Sequence, residues 1–326
     1  MRWAIVFGVG AVAGSLFGQN DSKKPPQKEP IPLLPQGWIS EEALLWKTSA
    51  DRFAYGNRSE PLGSSSYTDR SLDEPHAEWN PGIRITGGYQ YKDWAFFASW
   101  TYLQNKATGH KSTNGTKGFF PVLSLAPGLQ PQDYVTAASM NWRLNFHCVD
   151  LGVAYPWKPG KVLHLQPSLA LRLAFLDQRA VVNYGGGLFS GGMDRILLKN
   201  DFWGIGPALG VMPSIHLSMG FSLVGDVAVS LLGGRLFTKD HESYLSQTLF
   251  LERANKSRFC GSFDAKVGVN WETHPLYHAL VMSFQLGWEW HTFYELTRLG
   301  QNQFGFFRTP YNVAMQGAYL SAAVGF

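Results

Sequence analysis

The chain has 326 residues, of which 14% are aromatic and only 16% charged, with 35 glycines and a formal net charge of +4. Ordinary soluble domains carry about 25% charged residues, so this composition suits a wall that faces lipid better than a surface that faces water. The basic residues are dispersed rather than clustered, which excludes a nucleic-acid patch, and Cys148 and Cys260 stand far apart on different predicted strands and do not suggest a disulfide framework.

At the N-terminus, Met1-Arg2 supplies a positive n-region and Trp3 to Leu16 an apolar run too short to span a bilayer. Residues 1–18 read as a secretory signal peptide, with Ser15 and Gly18 as the two candidate cleavage points. Residues 19–36, with Lys23, Lys24, Lys28 and five prolines, suit neither a core nor a ladder and are expected to form a flexible periplasmic segment. Beyond Gly37 no stretch is long and apolar enough for a transmembrane helix; Phe221 to Leu232, for example, is interrupted by Asp226.

From Gly37 to Phe326 the pattern has period two. Ile83, Ile85, Gly87, Tyr89 and Tyr91 alternate with Arg84, Thr86, Gly88 and Gln90, and Lys92-Asp93 turns directly into a return run with Trp94, Phe96, Ala98, Trp100 and Tyr102 on one face. Seven apolar positions from Leu163 to Phe175 share a register, as do eight from Trp203 to Leu217. The spacing predicts about ten strands, near 37–52, 80–92, 94–107, 134–156, 161–184, 193–218, 219–237, 257–273, 278–295 and 311–326, with eight or twelve still compatible. Long connections at 53–79, 108–133, 185–192, 238–256 and 296–310 alternate with short ones at Lys92-Asp93, Trp157 to Gly160, Met219-Gly220 and Thr273 to Tyr277. The last ten residues put apolar side chains on every second position and end on Phe326, as the closing strand of an outer-membrane barrel does. The expected fold is all-β, a transmembrane antiparallel up-and-down β-barrel, with long loops outside, short turns and both termini in the periplasm, and a last strand available to the barrel-assembly machinery.

Two irregularities are expected. Met140, Trp142, Leu144 and Phe146 read as outward, and so do Val149, Leu151, Val153 and Tyr155, so a β-bulge is predicted near His147-Cys148. Pro207 and Pro213 remove ladder donors and suggest bulges of their own. Trp38, Trp46, Trp94, Trp100, Trp142, Trp203, Trp271, Trp288 and Trp290 are read as an interfacial girdle.

Several short motifs carry a family resemblance: Gly37-Trp38 with Glu42 to Lys47, Pro81 to Tyr89, Trp94 to Tyr102, Trp142 to Phe146 with Val149-Asp150-Leu151, and Asp201 to Pro207. Together they resemble the Legionella-type pore-forming outer membrane proteins and the related major-outer-membrane-protein-like family of environmental chlamydiae, from about Gly37 to Phe326. The resemblance implies an outer-membrane β-barrel porin and offers no catalytic residue to carry over. The low cysteine content departs from the disulfide-crosslinked envelope porins of pathogenic chlamydiae.

The leading functional expectation is a weakly selective porin for small hydrophilic solutes or ions, embedded in outer-membrane lipid, with Arg84, Arg143, His147, Asp150, Arg172, Asp226, Asp264, Lys266, Glu289 and His291 lining the lumen. A barrel of about ten strands is narrow, so the same charges pairing across it as a polar plug is the competing expectation. A non-conducting structural or adhesin barrel acting through its loops is the alternative, and an outer-membrane hydrolase is a weaker one. No Gly-x-Ser-x-Gly is present, Ser190 has no histidine near it in sequence, His216-Leu217-Ser218 lacks an acid, and Pro275 spoils any ligand spacing between His274 and His278. Gly204, Gly206 and Gly210 lie in a strand pattern and not in a phosphate loop. No catalytic residue, cofactor, metal or nucleic-acid partner is assigned, and a homo-oligomer is left open.

Overall fold

The computed structural model describes residues 37–50, 54–59, 72–113, 118–124, 134–160, 162–273, 280–297 and 311–326. The expected signal peptide, the 19–36 segment and the His274/His278 spacing lie outside the described residues. Ten long strands form the wall: β1 (Gly37–Ala50), β2 (Trp79–Tyr91), β3 (Trp94–Ser112), β4 (Ala137–Ala154), β5 (Leu163–Gly186), β6 (Phe189–His216), β7 (Phe221–Tyr244), β8 (Gln247–Thr273), β9 (Val281–Thr297) and β10 (Tyr311–Gly325). Each pairs antiparallel with its sequence neighbours, and β1 pairs with β10 from Trp38↔Gly325 to Ala50↔Val313, which closes the ring. Gly37 and Phe326 exchange two backbone hydrogen bonds, each 2.9 Å, so the start of β1 and the last residue are sealed into the wall. Closure answers the absence of water in lipid, where an open backbone edge has no partner.

The short turns share the end of the barrel that holds Gly37 and Phe326. Lys92-Asp93 joins β2 to β3, and Leu217 to Gly220 joins β6 to β7 with Gly220 at φ +80°, where any Cβ would run into the Glu272 carbonyl. At the other end the expected loops at 185–192 and 238–256 are corrected. β5 and β6 turn at Gly187-Leu188, and β7 and β8 at Leu245-Ser246, so both regions are hairpins that continue the wall. Segments Gly56–Ser59, Leu72–Asp73 and Gly118–Phe120 form a separate small sheet at this end.

The two ends differ in which face is apolar. On β5, Leu163, Leu169, Leu171 and Phe175 are exposed on the outside while His164, Gln166 and Arg172 are buried inside. Past Phe175 the order reverses: Asp177 and Arg179 face out, and Leu176, Ala180, Val182 and Tyr184 are buried within. β6 repeats this, with Trp203, Ile205, Leu209 and Val211 outside at one end, and Ile196, Leu198 and Phe202 inside at the other. The first half is a membrane barrel, greasy outside and polar inside. The second is built like a water-soluble barrel, with an apolar core enclosed by a polar wall.

That reversal corrects the predicted bulge. β4 keeps one register from Ala137 to Ala154 against both neighbours, with no slip at His147-Cys148. Trp142, Leu144 and Phe146 are buried inside the barrel, and Leu151 is outside; the apolar residues change face because the surroundings change, while the strand stays regular. The proline bulges are corrected as well. Pro207↔Leu171 and Pro213↔Leu165 hold register with β5, and on the β7 side the ladder passes over Gly206-Pro207 and Met212-Pro213 without shifting. Of the tryptophans, Trp94, Trp100, Trp203, Trp271, Trp288 and Trp290 are exposed on the outer wall, but Trp38, Trp46 and Trp142 are buried inside. Both cysteines are free and buried.

Candidate functional site

The inner face of the membrane half carries a charged network that crosses the lumen. Three of its pairs are direct cross-strand partners: Glu42 on β1 with Arg84 on β2, Asp150 on β4 with Arg172 on β5, and Asp264 on β8 with His291 on β9. Arg84 Nη1 donates to Glu42 Oε2 at 2.7 Å and reaches past β1 and β10 to Glu289 Oε2 at 2.9 Å, while its Nε donates to Thr101 Oγ1 at 2.9 Å. Arg172 grips Asp150 with two nitrogens, at 2.8 and 3.1 Å, and extends Nη1 to Ser262 Oγ at 3.1 Å and to Asp264 on the far wall. His291 lies between Asp264, 2.8 Å from Nδ1, and Glu289, 3.3 Å from Nε2. Lys266 closes the circuit, donating to Glu42 Oε2 at 2.8 Å with its ammonium 3.8 Å from the Tyr319 ring centroid.

Charges are present here because the inner positions of a lipid-facing strand are the polar ones, and they survive burial because each has partners. Arg172 is 6% exposed and Glu289 1%. Buried ions without partners cost several kcal/mol each, so a network of this kind is a fixed unit in which removing one member strands the others. Glycines shape the floor: a Cβ on Gly287 would lie 2.6 Å from the Tyr319 hydroxyl, which needs that space to accept a hydrogen bond from Gln285 Nε2 at 2.7 Å. The space left inside the network is a cavity of about 50 Å3, little more than room for one or two waters.

Beyond the network the lumen is filled by apolar side chains. Trp46 Nε1 donates to Glu289 Oε1 at 3.0 Å and marks the change, with Phe146 and Phe293 in edge contact at 5.6 Å above it. The core continues outward through Trp142, Leu144, Leu176, Leu198, Phe202 and Met315, and Tyr55, Phe119 and Leu123 enter it from the loop segments. These segments are pinned from the wall: Tyr184 Oη donates to the Tyr55 carbonyl at 2.5 Å and accepts from Leu123 N at 3.2 Å, and Ser124 Oγ donates to Glu242 Oε1 at 2.6 Å. Asp194 is buried in the same outer half, beyond the membrane band, where burial and the neighbouring Glu242 push its pKa up to about 8.

Of the predicted lumen residues, Arg84, Asp150, Arg172, Asp226, Asp264, Lys266, Glu289 and His291 line one cavity. Arg143 and His147 do not join them. Arg143 is exposed on the outer wall, and His147 sits there against Tyr102 at 4.7 Å and Trp100 at 6.3 Å, because β4 keeps its phase where the sequence reading let it slip. Glu42 was missed, although the alternation Trp38, Ser40, Glu42, Leu44, Trp46 places it on the inner face. At the short-turn mouth, His216 meets Ser222 Oγ at 2.7 Å and the His164 ring at 2.9 Å. Among the described residues no group of three or more His, Cys, Asp or Glu is placed to hold a metal ion.

The sequence is matched over residues 31–326 by a family model described as the Legionella pneumophila major outer membrane protein precursor. The chain belongs to that family. Membership places it among the outer membrane proteins, in agreement with the closed barrel and its lipid-facing band. Among curated proteins, no match is found. Among solved structures it is similar to the outer membrane protease OmpT of Escherichia coli, at 8% identity and a TM-score of 0.46, covering 91% of this chain and 97% of that one. It is also similar to Neisserial surface protein A, at 13% identity and a TM-score of 0.29 over 89% and 97% of the two chains. The Pseudomonas putida toluene transporter TodX matches at 11% identity and a TM-score of 0.30, with 90% of each chain covered. At these similarities the neighbours carry no argument about this chain.

Proposed function

We propose that the chain is an outer-membrane barrel whose lumen is closed to diffusion in this conformation, and that it acts at the cell surface through its outer half and loops. One observation carries this reading: the charged network and the apolar core lie in series, each spanning the lumen, and the cavity between the charges is about 50 Å3. In this reading the short turns, Gly37 and Phe326 face the periplasm, and the projecting half faces outward. No catalytic role is assigned, since Ser222 and His164 are buried and the second nitrogen of His216 is taken up by His164 and not by a carboxylate.

Conductance of the refolded chain in a planar bilayer tests this. Wild-type protein is expected to give no discrete steps. Stable steps in the wild type would overturn the closed reading and establish the second one, a weakly selective porin. What favours that second reading is the polar inner face running from His164, Gln166, Ser222, Asn270 and Gln285 at the periplasmic mouth up to Arg172. It requires both the network and the apolar core to part.

A further inference from the structure

The outer wall carries a row of cations that the closed barrel does not use. Lys106 on β3, Arg143 on β4, Arg179 on β5, Lys199 on β6, Lys239 on β7 and Arg253 on β8 are direct cross-strand partners, each paired with the next without a break. All stand at outward positions of their strands. Like charges directly opposite one another destabilise a sheet, and only Arg179 and Lys199 have carboxylates, Asp177 and Asp201, beside them to offset that cost among the described residues. Among the described residues only Lys199 of the six is ion-paired, with Asp201.

The position of the row says what meets it. Lys106, Arg143, Arg179 and Lys199 each lie four residues beyond the last ring of the lipid-facing band on their strand: Tyr102, His147, Phe175 and Trp203. With about 3.3 Å per residue and strands tilted by about 40°, that is roughly 10 Å above the outward ring on each strand, on the lipid-headgroup side of it. A hydrogen-bonded row climbs around a tilted barrel, so the height rises steadily from Lys106 to Arg253, and the ring row below it climbs in parallel. Between this row and the one below it, where Gln104, Asn145, Asp177 and Asp201 stand, lies an open cleft of about 320 Å3. On the opposite wall, β9, β10, β1 and β2, Lys47 is the single outward cation above the band among the described residues.

We propose that this row binds the multiply phosphorylated sugar headgroup of an outer-leaflet glycolipid. Guanidinium forks suit phosphate oxygens in paired contacts, and four strands span about 14 Å, wide enough for two phosphates held apart by a disaccharide and wider than a single phosphodiester needs. Asp177 and Asp201 line the membrane side of the cleft, where sugar hydroxyls have acceptors to meet. The inference rests on the reading that the short-turn end is periplasmic.

The test uses the full folded chain in detergent, titrated with a bisphosphorylated lipid A disaccharide, its dephosphorylated form and phosphatidylglycerol, with affinity read by thermophoresis. The bisphosphorylated lipid is expected to bind about tenfold or more tighter than either other lipid. A variant with Arg143→Gln, Arg179→Gln and Lys199→Gln is expected to lose that advantage, and Lys47→Gln to keep it. Equal affinity for the three lipids, full competition by inorganic pyrophosphate, or an unchanged triple variant overturns the proposal; if the triple variant does not fold, the lipid series on the wild type decides. Orientation is read separately, by labelling Leu188→Cys with an impermeant reagent on intact cells, and closure by the conductance of the same preparation.

Discussion

The membrane half and the outer half of this barrel use the same strands, the same pleat and the same closed ladder, yet they bury opposite kinds of side chain. In the lipid-facing half the inside is the polar side, and Arg84, Arg172, Asp264 and Glu289 neutralise one another across the lumen. In the outer half the inside is the dry side, and Trp142, Leu198 and Phe202 form a conventional core. The contrast teaches that strand alternation specifies two faces, while the solvent outside decides which of them is apolar.

The comparison is broken most forcefully in the charged half. Arg172→Ala leaves Asp150 and Asp264 facing each other without their cation and is expected to cost about 3–5 kcal/mol, read as a lower urea midpoint for loss of the heat-modifiable band. Pairing it with Asp150→Asn and Asp264→Asn is expected to recover much of the loss. In the apolar half, Leu198→Ala is expected to cost about 2–5 kcal/mol by cavity formation, with protease sensitivity rising at the Gly187-Leu188 and Leu245-Ser246 hairpins while the membrane half stays protected.

The outer surfaces sharpen the contrast. Leu171→Arg on the lipid face of β5 is expected to destabilise the barrel by about 2–4 kcal/mol in a lipid refolding titration. Val181→Arg, at an outward position on the same strand but past the reversal, is expected to change stability by about 0.5 kcal/mol or less. A pH effect separates the halves as well, through Asp194, whose pKa is raised from its ordinary value of 3.8 to about 8 in the folded outer half. A group that holds its proton more tightly when folded favours folding at low pH, so stability of the outer half is expected to fall as pH rises from about 4 to about 8 and then level off. Thermal melts of wild type against Asp194→Asn check this, the variant losing that part of the pH dependence.

Ring closure, the ten strands and the short-turn end were legible because alternation is strongest where one face meets lipid, as in Leu163 to Phe175. The hairpins at 185–192 and 238–256 were not, because the glycine-rich run Gly185 to Gly192 and polar outward residues such as Lys239 and Arg253 made continuing strands look like loops. Eight of the residues expected in the lumen share one cavity because inward parity alone brings them there. Arg143 and His147 were misplaced for one physical reason, that Trp142 and Phe146 were assumed to seek lipid when they seek the core. Pairing across the lumen, such as Arg172 with Asp264 on strands three apart in the ring, depends on barrel diameter and leaves no local signal in the sequence.

The reversal of faces is tested most directly by an accessibility scan along β5 in lipid, with Cys148 and Cys260 replaced by Ala and single spin labels placed at 169, 171, 175, 177, 179, 181 and 183. Labels through 175 are expected to respond to oxygen dissolved in the bilayer, and those from 177 onward to a water-soluble relaxation agent. Bilayer contact continuing unchanged to 183 would contradict a barrel that turns itself inside out at the membrane surface.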